Sequence, residues 1–389
     1  MKAPKLRATT GHLAMVLLCL PVVVAAQAEW DPDYLLSIQP EQYTALRAAG
    51  ELTIDGALDE PSWQNAPWTA AFVDIEGEVR PRPRFRTRAK MLWDERYFYI
   101  AAYLDEPHVW ATLTERDAVI FHDNDFEVFI DPDWDTHNYY EYEVNALATE
   151  WDLLLVRPYR DGAPAVHEWD IPGLRTGTRV YGTINQPADI DEGWSVEIAF
   201  PWEGLRRPTR ATVPPGDGDV WQVNFSRVEW EVEPAQDGEG YVKIKEKRGG
   251  NWVEKREDNW VWSPQGLVNM HFPEQWGFVR FSDQLAGSDA DLEFELPPEY
   301  PAHRLLREIY WRQRLFRTEE KRYTASLDTL GVAHRIMTDF LWPPRVSVTD
   351  YGWEAWVEEV TDLHADGGIN RWVITEDSRV FKANRPQDF

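Results

Sequence analysis

The stretch HDNDFEVFIDPDWDTHNYYEYEVN, residues 122–145, crowds carboxylates and aromatic rings into one short segment. Such a mixture suits three kinds of chemistry. Hard oxygen ligands close in sequence are what calcium needs, and Asp123, Asp125, Asp131 and Asp133 are the candidate ligands. Asp131, Asp133 and Asp135 open like a calcium loop, but Thr136 and Tyr142 stand where a helix-loop-helix site needs glycine and glutamate, which excludes that motif. Carboxylates on neighbouring strands, such as Glu127 with Glu143 or Asp125, could instead lie at the ~5–9 Å separation of a glycosidase pair.

The third chemistry is sugar recognition. Aromatic rings stack on the apolar faces of pyranoses, while carboxylates, amides and arginine pair with the hydroxyls. Phe121, Trp134, Trp151, Trp230, Trp252, Trp260 and Trp262 are the candidate stacking rings; Glu127, Asn145, Asn224 and Arg227 are the candidate hydrogen-bonding groups. A sandwich core also holds several tryptophans, so each ring has a competing structural role. The histidines are scattered, and none belongs to a HExxH or GxSxG motif.

Strands must position these residues. In DFEVFID, Phe126, Val128 and Ile130 share one face and Glu127, Phe129 and Asp131 the other; in YYEYEVNA, Tyr140, Tyr142, Val144 and Ala146 oppose Glu141, Glu143 and Asn145. FRTRAKMLWDERYFYIAAYLDE predicts a hairpin turning at Asp94-Glu95-Arg96. Further strands are expected at 150–156, 178–184, 193–200, 219–230, 241–245, 259–263 and 276–282. Many short strands with little helical periodicity predict an antiparallel β-sandwich over residues 51–283. Residues 29–50 read as a leader lying across it, and residues 238–258 as a long loop near its site.

Residues 284–299 are acidic and proline-bearing, a linker to a small α+β domain at 300–389. The spacing of Leu305, Leu306, Ile309, Tyr310, Gln313 and Phe316 predicts a helix over 303–317. A short helix at 325–330 should stop at Gly331, followed by strands near 345–350, 353–360 and 371–381.

The chain begins with Lys2, Lys5 and Arg7, an apolar run over 13–26 and Ala26-Gln27-Ala28, the pattern of a signal peptide at residues 1–28. The run falls short of the ~20 residues that span a bilayer, and no later segment approaches that length. The expectation is export to the periplasm or the extracellular space. The lone cysteine, Cys19, lies inside that run, so disulfides and thiolate chemistry are excluded from the mature chain. A formal charge of −27, with 67 acidic against 40 basic residues, argues against nucleic acid and anionic lipid as partners. The hydrophobic share of 43% and the 21 tryptophans exclude disorder.

The succession LTIDGALDEPSWQNAPW, AKMLWDERYFYIAAYLDE, DNDFEVFIDPD, GWSVEIAFPWEGL, GDVWQVNFSRVEW, WSPQ and PEQWGFVRFS resembles, in order and spacing, the family 9 carbohydrate-binding modules over about residues 51–282. That resemblance implies a sandwich related to the DOMON fold, bound calcium in some members, and binding rather than catalysis. It also implies a sugar held between two tryptophans with help from a strand glutamate. The glutamate matches Glu127 and the first tryptophan matches Phe121. The second falls near Met270, where no tryptophan stands; an arginine of the site is replaced by Glu143, and a neighbouring asparagine is retained as Asn145. Either the site has moved towards Trp260, Trp262, His271 and Arg227, or sugar binding has been lost. The tail is similar, more faintly, to the globular part of type IV pilin-like proteins, without their apolar half-helix.

The expectation is therefore an exported, non-catalytic protein recognising a glycan or oligosaccharide, its ligand contacts drawn from Phe121, Glu127, Asn145, Trp151, Asn224, Arg227, Trp260, Trp262 and His271, with calcium as the candidate ion. The alternatives are an enzyme acting on glycosidic bonds and an envelope scaffold docking partners through its C-terminal domain.

Overall fold

The computed structural model describes residues 30–206, 209–290, 292–360 and 369–385. The signal segment read at 1–28, with Cys19, lies outside them.

Thirteen strands join in one mixed sheet. From one edge to the other its order is Ala165–Val166, Glu150–Leu155, Tyr139–Asn145, Asp125–Asp131, Val220–Glu229, Gly277–Leu285, Gln42–Arg47, Thr87–Trp93, Tyr97–Asp105, Gly193–Pro201 and Arg175–Tyr181. Asp258–Val261 branches from Val220–Glu229 and pairs in turn with Val73–Asp74. The sheet folds over itself, so both halves cover one core. Phe126, Val128, Tyr142 and Phe225 from one half meet Ile100, Val196 and Phe200 from the other. The Tyr142 and Phe200 rings, 5.7 Å apart, link the two layers.

The alternation sets what each face does. Phe126, Val128, Ile130, Tyr140 and Val144 enter that core, whereas Phe129, Tyr139, Leu153 and Trp276 build a second cluster on the opposite face of the same strands. The predicted hairpin forms as Thr87–Trp93 and Tyr97–Asp105, and Asp94 Oδ1 caps its turn by accepting from the N–H of Arg96 and of Tyr97.

Two segments depart from the sequence reading. Part of the leader, Gln42–Arg47, is a central strand parallel to both of its neighbours. Tyr43 and Ala45 face one core and Leu46 another, so its two faces are both buried and show no polar alternation. The segment read as a loop near residue 250 carries hairpins, pairing Val232–Pro234 with Tyr241–Lys243 and Lys245–Arg248 with Asn251–Glu254.

The tail is α+β. The helix Tyr300–Glu320 buries Leu305, Leu306, Ile309 and Trp311 against Trp353, Ala355, Ile374 and Val380 of a four-stranded antiparallel sheet, and against Leu35 and Phe272 of the preceding region. The predicted 371–381 strand is two, Ile369–Thr375 and Val380–Arg385, with Ser378 in the turn at φ 70°. Gly331 ends the short helix Leu327–Leu330 in the left-handed conformation, as its sequence requires. Among the described residues no helix is long and apolar enough to cross a membrane.

Candidate functional site

The outer face of the Glu127, Glu143 and Trp151 strands carries a cavity of about 370 Å³. Register explains why these three meet: Glu143 lies directly opposite Glu127 on one side and Trp151 on the other, so one row crosses the sheet. Glu141 lies one pleat along the same face, opposite Phe129. Loops close the rim with Phe121, Tyr159, Met270 and His271.

Each rim residue is anchored. The Phe121 carbonyl accepts from Trp230 Nε1 at 2.8 Å and its N–H donates to Glu143 Oε2 at 3.0 Å, leaving the ring 37% exposed beside the cavity. His271 pairs through Nδ1 with the Tyr139 hydroxyl at 3.0 Å, and the Tyr159 ring meets it edge-on at 4.5 Å. The Trp151 ring stacks on His167 with centroids 5.7 Å apart. The Met270 carbonyl accepts from Trp276 Nε1.

The floor is acidic and buried. Burial pushes the Glu127 carboxyl up to about 7, while burial and then the Glu127 charge hold Glu141, Glu143 and Asp125 well above the ordinary carboxylate range. Burial, with Arg160 behind it, drives His271 down to about 3, so its imidazole is neutral at physiological pH. Among the described residues no lysine or arginine lines the cavity. It can therefore grip hydroxyls through carboxyl groups, stack a ring on Phe121 or Trp151, and receive a cation.

Of the candidate ligand contacts, the structure brings Phe121, Glu127, Trp151 and His271 together and places the other five elsewhere. Trp260 and Trp262 point inward and are 3% and 1% exposed in the sandwich core. Asn224 bridges the backbone of Ser263. Arg227 is buried between Glu106 and Glu229, at 2.6 and 2.9 Å, with its guanidinium over the Trp260 ring. Asn145 donates to Asp123 and to the Leu113 carbonyl. The polar groups of this set are consumed by internal partners. Among the other rings, Trp134 stacks on His303, Trp230 sits under Lys243, and Trp252 stands 70% exposed on a hairpin.

The four proposed metal ligands do not converge either. Both oxygens of Asp123 are engaged by Thr112, Leu113 and Asn145. Asp125 instead groups with Glu127 and Glu143, while Asp131 and Asp133 group with Asp135. Both of these acidic clusters could hold a metal ion.

A larger hollow of about 850 Å³ runs along residues 80–86. Its Arg80, Arg84 and Arg86 are already paired with Glu76, with Glu231 and Asp258, and with Asp105.

Strand alternation grouped Glu141 with Glu143, and the resemblance put Glu143 at the arginine position of the site, yet neither was counted as a ligand contact. Tyr159 comes from a distant loop and leaves no local signal, whereas Met270 stands where the resemblance put the second tryptophan.

The family described as carbohydrate family 9 binding domain-like matches residues 54–255, just over half of the chain. Among solved structures, the chain is similar to a family 9 carbohydrate-binding module from Caldicellulosiruptor kristjanssonii in complex with cellotriose, at 14% identity and a TM-score of 0.36, covering 65% of this chain and 100% of that one. The complex of a module from the same organism with glucose gives 15%, 0.39, 64% and 98%. A structure from Bacteroides uniformis ATCC 8492 gives 14%, 0.44, 63% and 100%. No curated protein matches.

Proposed function

Because the chain belongs to the carbohydrate family 9 binding domain-like family, we propose that its sandwich is a non-catalytic module that takes one end of a glycan into the cavity beside Phe121. The observation that carries this reading is the cavity itself. Its roughly 370 Å³ lie within the range of small-ligand sites, and Phe121, Trp151 and Tyr159 sit around a floor of carboxyl groups. Rings supply the stacking faces and carboxyls the hydroxyl partners, as sugar recognition requires. The cellotriose and glucose of the Caldicellulosiruptor complexes set the first ligands to try.

The test is calorimetry of the protein against cello-, xylo- and manno-oligosaccharides. Phe121→Ala should weaken binding roughly fivefold, the equivalent of losing about 1 kcal/mol of ring stacking, with the melting temperature unmoved. No heat with any sugar would sink the glycan reading, and released reducing ends would turn it into an enzyme.

Calcium is the ion proposed for the loop of Asp131, Asp133 and Asp135. Asp131 Oδ1 there is buried without a hydrogen-bond partner, an oxygen suited to a hard cation. The signal segment supports export, to the periplasm or beyond. The C-terminal α+β region is proposed to dock a partner protein of the cell envelope; a pull-down that free sugar does not compete away would support that role.

A further inference from the structure

Below the cavity, Glu127 and Glu143 lie directly opposite each other on adjacent strands, and Asp125 stands two residues from Glu127 on the same face. One oxygen from each of the three lies within 4.8 Å of the others. Like charges directly opposite in a sheet destabilise it, and burial removes the water that would screen them. At salt-bridged sites such as Arg227 with Glu106 and Glu229 an arginine relieves such crowding; here, among the described residues, no lysine or arginine lines the cavity, and the His271 imidazole is neutral.

The remaining hydrogen-bonding capacity is specific. Asp125 Oδ1 accepts the N–H of Val228 at 3.1 Å, and Glu143 Oε2 accepts that of Phe121 at 3.0 Å. Asp125 Oδ2 is sealed from solvent without a partner, and Glu127 Oε2, equally sealed, faces the Ser226 hydroxyl. Such acceptors in a buried acidic cluster call for a positive group small enough to enter. A sugar ammonium carries its ring with it and cannot reach sealed oxygens. Shared protons are the competing occupant, since a carboxyl O–H would donate to a neighbouring carboxylate oxygen, and the calcium titration decides between the two.

We propose that a hard divalent cation of the calcium class sits among Asp125, Glu127 and Glu143. Calcium stands about 2.3–2.6 Å from its oxygens, so one ion bridges oxygens up to about 5 Å apart, which covers the spacing of this trio. Calcium takes about six to eight ligands, more than three carboxylates supply. Glu127 and Glu143 line the cavity, so open positions facing it would accept water or a vicinal pair of sugar hydroxyls. In this arrangement the ion stands in for the second stacking ring and the arginine that the family resemblance led one to expect. That last step rests on the glycan reading of the cavity; the placement of the ion does not.

The experiment uses the full chain, stripped with chelator, and titrates it with calcium alone by calorimetry and thermal shift. Asp131→Asn serves as the reference background, so that the loop cluster does not contribute. The reference should bind one calcium ion and melt at a higher temperature with it. Adding Glu143→Gln or Asp125→Asn should weaken calcium about tenfold or more, since disturbing even the groups that support a metal ligand costs that much. Circular dichroism checks the fold of each variant, and either one suffices for the test. No calcium heat in the folded reference, or unchanged affinity in a folded variant, overturns the proposal. A second arm adds cello-oligosaccharide with and without chelator. Sugar binding undiminished by chelator removes the ion's role in gripping sugar and leaves the glycan reading intact. Calcium binding without sugar binding supports the ion and sinks the glycan reading instead.

Discussion

Two acidic regions of this chain are equally buried and opposite in character. Where the tail meets the sandwich, Arg160 donates to both oxygens of Glu274, at 2.9 and 2.8 Å, and stands 3.3 Å from Asp161. Asp161 also accepts from Tyr310, Arg314 and Ser378. Burial pushes Glu274 up, yet Arg160 and Arg307 outweigh it and hold its carboxyl below the ordinary range. Under the cavity, Asp125, Glu127 and Glu143 lie just as deep, no lysine or arginine among the described residues lines that cavity, and all three are pushed the other way. Burial alone therefore does not set the direction in which a carboxyl shifts; the presence of a matched cation does.

Breaking the paired region should have the largest effect. Arg160→Met leaves Glu274 and Asp161 without their shared partner and is expected to cost about 3–5 kcal/mol, read from the denaturant midpoint. A loss below about 1 kcal/mol would erase the contrast, because the junction would then depend on its ion pairs no more than a solvent-exposed site does. The unpaired region should respond with the opposite sign. In chelator, and above the pH of about 7 to which burial pushes the Glu127 carboxyl, Glu127→Gln removes a buried, crowded charge and is expected to raise stability by up to about 1 kcal/mol; a lower melting temperature would mean that the charge is already neutralised.

Glu197 lies between the extremes and gives the smallest effect. It has no arginine but accepts N–H groups from Trp63, Asp55 and Gly56 at 2.6, 3.1 and 2.8 Å. Burial outweighs these donors, and its carboxyl moves from 4.5 up to about 7. Between those values the folded protein keeps a proton that the unfolded chain has released, so stability falls as pH rises across that window, and below it nothing is lost. Glu197→Gln should flatten that slope, and a stability profile from pH 4 to 8 measures it.

The same contrast explains what was legible in the sequence. Alternation gave the strands and the two faces of residues 125–145, because one face meets apolar core and the other meets the cavity. It could not separate Trp151, which reaches the cavity, from Trp260 and Trp262, which fill the core, since that depends on which layer lies opposite. Arg227 and Asn224 have the composition of a sugar site, yet their partners Glu106 and Ser263 come from remote positions and take up their donors. Asp131 and Asp133 were grouped with Asp123 and Asp125 by closeness along the chain, but the strand between them carries the two pairs to separate places. The central strand Gln42–Arg47 was hidden for the reason that hides other central strands: with both faces buried it has no polar side to display.

That strand also decides how the sandwich can come apart. It pairs in parallel with Gly277–Leu285 and with Thr87–Trp93, so the earliest strand of the sheet is held by its last. Such a long-range closure is costly in time more than in free energy, because it must wait for nearly the whole sandwich to be present. Proteolytic loss of residues 42–47 would split the sheet through its middle, baring two new edges ready to pair with another chain. The segment is a latch, and its removal would convert a self-contained sheet into a template for aggregation.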